Sequence, residues 1–184
     1  SPQITVRAEL AADATPLDHV ALGGALGILD IPRAAAVAGS RNYSLLGDGA
    51  LLERSILDLG FSSMVDAGFL PVNVPILVRD SAMEGTGYFP GGEEQAYRVP
   101  QDEMSLAGTG EVPLTALYGD EIFREEDMPI RLVTETSCYR REAGAAGRDT
   151  RGLYRVHQFR KVEQVVLGPA DDEWSAAMLE EIVG

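Results

Sequence analysis

The chain has 184 residues, of which 45% are hydrophobic and 24% charged, and this balance supports one ordinary domain with a sizeable core. Its single cysteine, Cys138, argues against an internal disulfide framework or a multi-cysteine zinc site, and its short, interrupted apolar runs predict no membrane span. A formal net charge of −14 argues against a broad phosphate-binding surface, so a nucleic-acid partner requires a local basic patch.

The N-terminal residues 1–17 are polar and irregular, and we predict a leader or linker there. They lack the basic region and apolar core of a signal peptide. Together with the single cysteine, this favours a reducing, cytoplasmic location. Because Ser1 is not a natural first residue, we also expect residues upstream of it.

Short helices and strands are predicted in the first half of the chain. Residues 50–67 give the clearest helix, since leucine, isoleucine and valine recur there near helical spacing. The apolar run 69–78 predicts a strand, and its two prolines restrict that strand to an edge or interface position in a sheet. The other predicted elements are a short helix within 18–29, a break at 30–32, a helical turn at 33–37 and a strand at 41–46.

Strand-like runs dominate the second half. They follow one another without helical crossovers, which predicts an α+β fold with an antiparallel β-sheet flanked by helices. The predicted elements are a Gly-rich loop at 84–95, a hairpin of 97–99 and 104–107, a helix at 112–118, two strands at 130–139 and 158–167, and a C-terminal helix that begins near Pro169.

A basic island lies between the last two strands. Five arginines fall within 16 residues of an otherwise acidic chain. Strand alternation places a cation, an aromatic ring and a carboxylate on one face of the second strand, a set suited to phosphate, base and amine. The alternative is a solvated basic loop at a sheet edge. The arginines are Arg140, Arg141, Arg148, Arg151 and Arg155, and the strand face carries Arg155, His157, Phe159, Lys161 and Glu163.

The sequence YRREAGAAGRDTRGLYRVHQFRKVE, residues 139–163, resembles motif 2 of the class II aminoacyl-tRNA synthetases in its seryl form. Residues 68–78 resemble motif 1, the dimer-forming strand of that class. Residues 108–114 resemble the seryl family's Thr-x-Glu serine-binding loop, in which Gly110 replaces the more common Ala or Ser. The resemblance runs from about residue 18 to the end of the chain and implies a class II synthetase catalytic domain.

The resemblance implies an ATP site on four residues. Arg140 corresponds to the motif 2 arginine that bridges the amino-acid carboxylate and the α-phosphate, and it is the predicted catalytic residue. Glu142 is expected near the adenine end of ATP. Arg155 corresponds to the arginine that meets the γ-phosphate, and Phe159 to the aromatic ring on which adenine stacks.

The same resemblance implies a serine site and a tRNA contact. Glu163 and Glu111 correspond to carboxylates that receive the amino and hydroxyl groups of serine, with Thr109 beside them and Arg140 on the serine carboxylate. Arg148 and Arg151 lie near the loop tip, where they either touch the tRNA acceptor end or are solvated. His157 is predicted to have a structural hydrogen-bonding role, and Cys138 to lie in the core.

The implied reaction joins serine and ATP to give seryl-adenylate and pyrophosphate, and then transfers serine to tRNA(Ser). The implied partners are serine, ATP with Mg²⁺, tRNA(Ser) and a second copy of the chain bound through the motif 1 region. We predict no metal ligands within the chain, because motif 3, whose acidic residue binds magnesium, is expected beyond residue 184. The family's N-terminal tRNA-binding arm is also not found, so residues 18–184 are predicted to be part of a catalytic domain that is inactive alone.

Two alternatives remain at this stage. A synthetase-like paralogue would load an amino acid onto a carrier protein, although the intact Thr-x-Glu and the single cysteine disfavour its zinc-containing version. A non-catalytic homologue would act as a dimerising or regulatory module. The combination of Arg140, Phe159 and Glu163 argues against the second alternative, because an inactive site has no reason to retain the set.

Overall fold

A computed structural model describes residues 15–144 and 151–183. Six helices and eight strands make up this part of the chain, and three short 3-10 turns connect some of them. The helices are α1 (His19–Ala25), α2 (Ile31–Ala38), α3 (Asp48–Asp66), α4 (Asp80–Gly85), α5 (Glu111–Ala116) and α6 (Asp172–Val183). The strands are β1 (Leu29–Asp30), β2 (Ser44–Leu45), β3 (Leu70–Pro71), β4 (Leu77–Arg79), β5 (Tyr97–Val99), β6 (Met104–Leu106), β7 (Ile130–Tyr139) and β8 (Gln158–Leu167).

The sheet that carries the site has the strand order β3-β7-β8. β7 and β8 form the predicted antiparallel pair, in register from Ile130 opposite Leu167 to Tyr139 opposite Gln158. β3 runs parallel to β7, so this sheet is mixed rather than purely antiparallel. A second, antiparallel sheet has the order β4-β6-β5, and β1 pairs with β2. Helices and strands together give the predicted α+β architecture.

The prediction of a single strand over residues 69–78 was wrong. Leu70–Pro71 joins the β7 sheet, whereas Leu77–Arg79 joins the second sheet. Pro71 and Pro75 have no N–H to donate to a ladder, so a continuous central strand through this segment is not available. The chain instead crosses from one sheet to the other and contributes Val74 to the core.

Two buried clusters hold α5 against the sheets. Val112 of α5 belongs to one cluster, whose other members come from residues 78–107. Leu114, two residues later, belongs to the other cluster with Val74 and Leu132 of β7. Because both sides of this short helix are packed, its N-terminal residues are fixed against the β7–β8 pair. The predicted helix at 112–118 is therefore confirmed, with a start at Glu111.

The long helix α3 is confirmed, but four of its apolar side chains are exposed among the described residues. Leu51, Leu52, Ile56 and Leu59 are between 57% and 69% exposed. Hydrophobic periodicity identifies a helix without identifying what covers it. No helix within residues 15–144 and 151–183 is both long enough and apolar enough to cross a membrane.

The break predicted at residues 30–32 is the start of a helix. Asp30 caps α2, since its Oδ1 accepts a hydrogen bond from the backbone N–H of Arg33 at 2.9 Å, and Pro32 lies in the first turn, where its missing N–H costs nothing.

Replacing Asp30 by alanine should therefore lower the free energy of unfolding by about 1 kcal/mol, the usual cost of losing such a cap. Urea unfolding of the protein measures this change. Asp30→Asn, which keeps a side-chain acceptor at the cap, should lie close to the original protein; equal losses in both variants would contradict the capping role.

Candidate active site

The basic island begins where β7 ends and returns where β8 begins. Arg140 directly follows β7, and Arg155 lies three residues before β8. Arg155 Nη1 donates a hydrogen bond to Glu142 Oε2 at 2.7 Å, which joins the two ends of the intervening segment. We call residues 141–144 the loop entry and residues 151–154 the loop exit; the predicted tRNA contact Arg148 lies between them, outside the described residues.

A cavity of about 390 Å³ opens beside this ion pair. Three of the predicted ATP residues, Arg140, Glu142 and Arg155, line it. Arg155 Nε is buried and has no hydrogen-bond partner among the described residues, although its Nη1 is paired. A buried donor without an acceptor is rare in folded proteins, and this one is available to an acceptor oxygen that enters the site.

Two residues that line the cavity, Tyr88 and Gln95, were not predicted from the sequence. Gln95 contacts the loop entry through both side-chain atoms: Nε2 donates to Ala143 O at 2.9 Å, and Oε1 accepts from Ala143 N at 3.2 Å. Burial raises the pKa of the Tyr88 phenol, an effect that Arg140 partly opposes. Neither residue lies in a local motif, so no signal in the sequence near them indicated the site.

Arg140 lies at the edge of this cavity and also contacts the serine-binding loop. Its Nε donates to Gly108 O at 3.0 Å, and its guanidinium carbon lies 5.3 Å from the centroid of the Phe159 ring. A Cβ on Gly108 would lie 2.4 Å from Tyr88 Oη, so only glycine permits this approach. The predicted catalytic arginine and the predicted adenine platform are therefore neighbours, as the strand pairing of Cys138 with Phe159 requires.

The predicted serine residues Thr109 and Glu163 are joined, although 54 positions separate them. Thr109 Oγ1 donates to Glu163 Oε2 at 2.6 Å. Lys161 donates from Nζ to Thr109 Oγ1 at 2.7 Å and forms an ion pair with Glu163. Lys161 was placed on this strand face by alternation but not assigned to the site. Thr109 is 7% exposed, so this network lies in a partly closed corner of the site.

Gly110, the departure from the family pattern, packs directly on the sheet. A Cβ there would lie 3.1 Å from Thr134 Cγ2 and 3.2 Å from Glu163 Cβ. Such contacts are tighter than ordinary packing, so a larger residue requires the facing side chains to shift by a few tenths of an ångström. In this chain the glycine allows Thr109 to approach Glu163 closely.

The structure does not bring every predicted residue into the site. Glu111 is exposed at the start of α5, where its backbone N–H donates to Thr109 Oγ1 at 3.4 Å, and its predicted role with serine stays a prediction. Arg151 is exposed in the loop exit, and its predicted tRNA contact also stays a prediction.

Two residues outside the binding roles are placed as predicted. His157 Nδ1 lies 3.1 Å from Arg140 O, and its ring meets Tyr97 edge-on, a structural arrangement. Cys138 is buried. Within residues 15–144 and 151–183, no group of three or more His, Cys, Asp or Glu side chains is placed to hold a metal ion.

The arrangement has an anion-binding side and a cation-binding side. Arg140 and Arg155 present guanidinium groups to the cavity, and Glu163 with Thr109 presents a carboxylate and a hydroxyl on the adjacent strand face. Arg140 lies between them because it contacts Gly108, the neighbour of Thr109. Such a site can hold a phosphate and an ammonium side by side.

Comparison with known proteins agrees with this geometry. Residues 97–183 match the family described as the tRNA synthetase class II core domain (G, H, P, S and T). Over 176 residues the chain is 46% identical to a serine–tRNA ligase from Mycobacterium ulcerans (strain Agy99), covering 91% of this chain and 42% of that protein. The chain thus spans less than half the length of the curated relatives it matches.

Solved structures give the same result. A seryl-tRNA synthetase from Pyrococcus horikoshii complexed with ATP superposes with a TM-score of 0.87 at 37% identity, over 93% of this chain and 38% of that one. A cytoplasmic serine–tRNA ligase from Naegleria fowleri in complex with AMP has a TM-score of 0.90 at 29% identity, over 97% of this chain and 42% of that one. Both likenesses cover more than nine tenths of this chain.

Proposed function

This chain belongs to the seryl-tRNA synthetase family of class II tRNA synthetases, and from that premise we propose that it supplies the ATP- and serine-binding part of an enzyme that activates serine and transfers it to tRNA(Ser). The observation that carries the proposal is the position of Arg140. On one side it lines the cavity. On the other it donates a hydrogen bond to Gly108, the neighbour of Thr109, which is in turn bonded to Glu163.

The cavity beside Arg140 and Arg155 is the proposed nucleotide site. The unpartnered Nε of Arg155 offers a donor to a phosphate oxygen. The ring of Phe159 does not line this cavity but lies beside Arg140 at its edge, where it offers a stacking surface to adenine. Glu142 orients Arg155 through their ion pair, in addition to its proposed place near adenine. The complexes of the Pyrococcus and Naegleria proteins with ATP and AMP support nucleotide binding by this chain.

The corner formed by Thr109, Lys161 and Glu163 is the proposed serine site. An ammonium requires a carboxylate, and Glu163 supplies one beside a hydroxyl that can bond the serine side chain. Lys161 holds Glu163 and Thr109 in place before serine arrives. A site built around a bonded hydroxyl rejects alanine, because its polar groups would then be left unpaired.

The proposed chemistry needs no protein nucleophile. A carboxylate oxygen of serine attacks the α-phosphorus, a new oxygen–phosphorus bond forms, and the bond to the β-phosphate breaks to release pyrophosphate. Arg140 stabilises the negative charge that develops on the α-phosphate oxygens. A terminal ribose hydroxyl of the tRNA then attacks the seryl carbonyl carbon and displaces AMP. Magnesium, expected with ATP, has no ligand cluster among the described residues, and no step here depends on it.

The remaining assignments belong to the same proposal. We assign residues 18–184 to the catalytic domain and residues 1–17 to a leader, in a cytoplasmic protein. Arg148 and Arg151 are assigned to the tRNA acceptor end. A homodimer through residues 68–78 is supported by the exposed leucines of α3 and by Leu70, which is 56% exposed in β3, since exposed apolar side chains are available to a partner surface.

Serine-dependent ATP–pyrophosphate exchange tests the activation step. The protein expressed from its complete open reading frame should exchange pyrophosphate with serine and not with alanine, and should then charge tRNA(Ser) rather than a carrier protein. Absence of exchange with any amino acid would refute the proposal. Exchange with serine followed by loading of a carrier protein would refute the transfer step alone.

Replacing Phe159 by alanine should weaken ATP binding by about 1–3 kcal/mol, the usual worth of stacking a base on an aromatic side chain. Equilibrium binding of ATP to the complete protein measures the loss. Phe159→Tyr retains the ring and serves as the control. An ATP affinity that is unchanged in Phe159→Ala would remove this ring from the nucleotide site.

A further inference from the structure

His19 contacts three consecutive residues of the loop exit. The backbone N–H of Leu153 donates to His19 Nε2 at 3.0 Å. The imidazole meets the ring of Tyr154 edge-on, with centroids 4.5 Å apart and an interplanar angle of 69°. A Cβ on Gly152, whose φ is +88°, would lie 1.9 Å from His19 Nε2, so a side chain is excluded there by both strain and space.

The helix that presents His19 is capped at its N-terminus and packs on β1. Asp18 caps α1, because its Oδ1 accepts from the backbone N–H groups of Val20 at 2.9 Å and Ala21 at 2.8 Å. The bond from the Ala21 N–H is the main reason that the pKa of Asp18 is lowered. One turn later, Gly23 packs so closely on Leu29 that a Cβ would lie 2.8 Å from the Leu29 Cβ. The imidazole therefore projects from a capped helix that packs on β1.

The two ends of the loop have different supports. Gln95 holds the entry through its side-chain bonds to Ala143 and through its carbonyl, which accepts from Arg141 N at 2.8 Å. His19 holds the exit through Leu153, and two residues after Leu153 the chain reaches Arg155. The exit backbone thus determines where the Arg155 guanidinium meets Glu142 and the cavity.

From these contacts we infer that His19 is a positioning residue for the nucleotide site: it fixes the loop exit by accepting the Leu153 N–H and thereby sets Arg155 toward the phosphates of ATP. These contacts of His19 are with the loop exit, whereas the proposed serine residues Thr109 and Glu163 bond to each other elsewhere, in the loop before α5 and on β8. The effect on ATP rests on the proposed function, whereas the anchoring of Leu153 does not.

The kinetic test uses His19→Ala in the complete protein. We expect the KM for ATP in serine-dependent pyrophosphate exchange to rise by about tenfold, the scale of one lost hydrogen bond, while the KM for serine changes by less than about twofold. His19→Gln should restore most of the ATP affinity, because its amide oxygen can accept the Leu153 N–H. Leu22→Ala, a truncation at an exposed position of α1, is the matched control and should leave both constants unchanged.

Amide hydrogen exchange of Leu153 gives a readout that is independent of activity. The amide should be protected in the original protein, in His19→Gln and in Leu22→Ala, and should exchange faster in His19→Ala. An unchanged Leu153 exchange rate in His19→Ala would overturn the anchor. Equal increases in KM for ATP and serine would overturn the positioning role. If neither the original protein nor any variant exchanges pyrophosphate, the proposed function fails. The exchange rate of the Leu153 amide still tests whether His19 anchors Leu153.

Discussion

Replacing Arg140 by alanine is expected to lower kcat/KM for serine-dependent pyrophosphate exchange by about 10³-fold, the upper range for removing one donor that stabilises developing negative charge. The loss is large because one guanidinium serves two sides of the site. It faces the cavity with Arg155, and its Nε holds Gly108, the residue before Thr109. The kcat/KM should therefore fall for ATP as well as for serine.

The neighbouring Arg141 offers a matched control. It carries the same charge one residue away, its side chain is exposed, and its contact with Gln95 is made through the backbone N–H. Arg141→Ala should therefore retain activity within about threefold, as surface substitutions usually do. Similar losses in both variants would mean that net charge rather than the placement of Arg140 supports the reaction.

Arg140→Lys separates charge from shape. Lysine keeps the cation but lacks the planar fork that can bond phosphate and the Gly108 carbonyl together. We expect a recovery of no more than about tenfold over Arg140→Ala, since a flexible ammonium cannot hold both partners. Full recovery would show that a point charge suffices at this position.

Replacing Glu163 by glutamine is expected to raise the KM for serine by about 100-fold, the range for losing a partly buried, charge-assisted hydrogen bond to the substrate ammonium. Glutamine keeps the size of the side chain and an oxygen that can accept from Thr109, so the substitution removes mainly the charge. The KM for ATP should stay within about twofold, because Glu163 faces the serine corner and not the cavity.

Glu135→Gln is the control for Glu163→Gln. Glu135 lies on β7 next to Thr134, the residue paired with Glu163, so alternation places it on the opposite face, where it forms an ion pair with Arg160. This variant should bind serine normally. If it raised the KM for serine as much as Glu163→Gln, the increase would result from a general disturbance of the sheet rather than from loss of a contact with serine. Thermal unfolding of both variants distinguishes a loss of serine binding from a loss of folding stability.

Part of the site was predictable because its signals are local. A strand shows alternate residues on one face, so Phe159, Lys161 and Glu163 could be grouped before their contacts were known. The two long strands and α3 were likewise predicted from apolar patterning. The motif over residues 139–163 added the family, which the comparisons confirmed.

Other features were not predictable because they depend on packing between distant segments. Gln95 meets Ala143 across 48 positions, and neither residue has a pattern that indicates the other. The run 69–78 has uniform strand-like composition, yet it divides between two sheets because its prolines cannot supply ladder hydrogen bonds.

The sequence by itself determined the chemical groups and the local order in which they appear. It specified an arginine at the end of one strand, alternating aromatic, lysine and glutamate residues on the next, and a Thr-x-Glu loop upstream. Only the tertiary structure decided that Thr109 lies on Glu163 and that His19 receives the Leu153 amide from 134 positions away. The reason is physical: backbone periodicity acts over a few residues, whereas the burial of Val112 and Leu114 in separate clusters determines where α5 and its loop lie on the sheet.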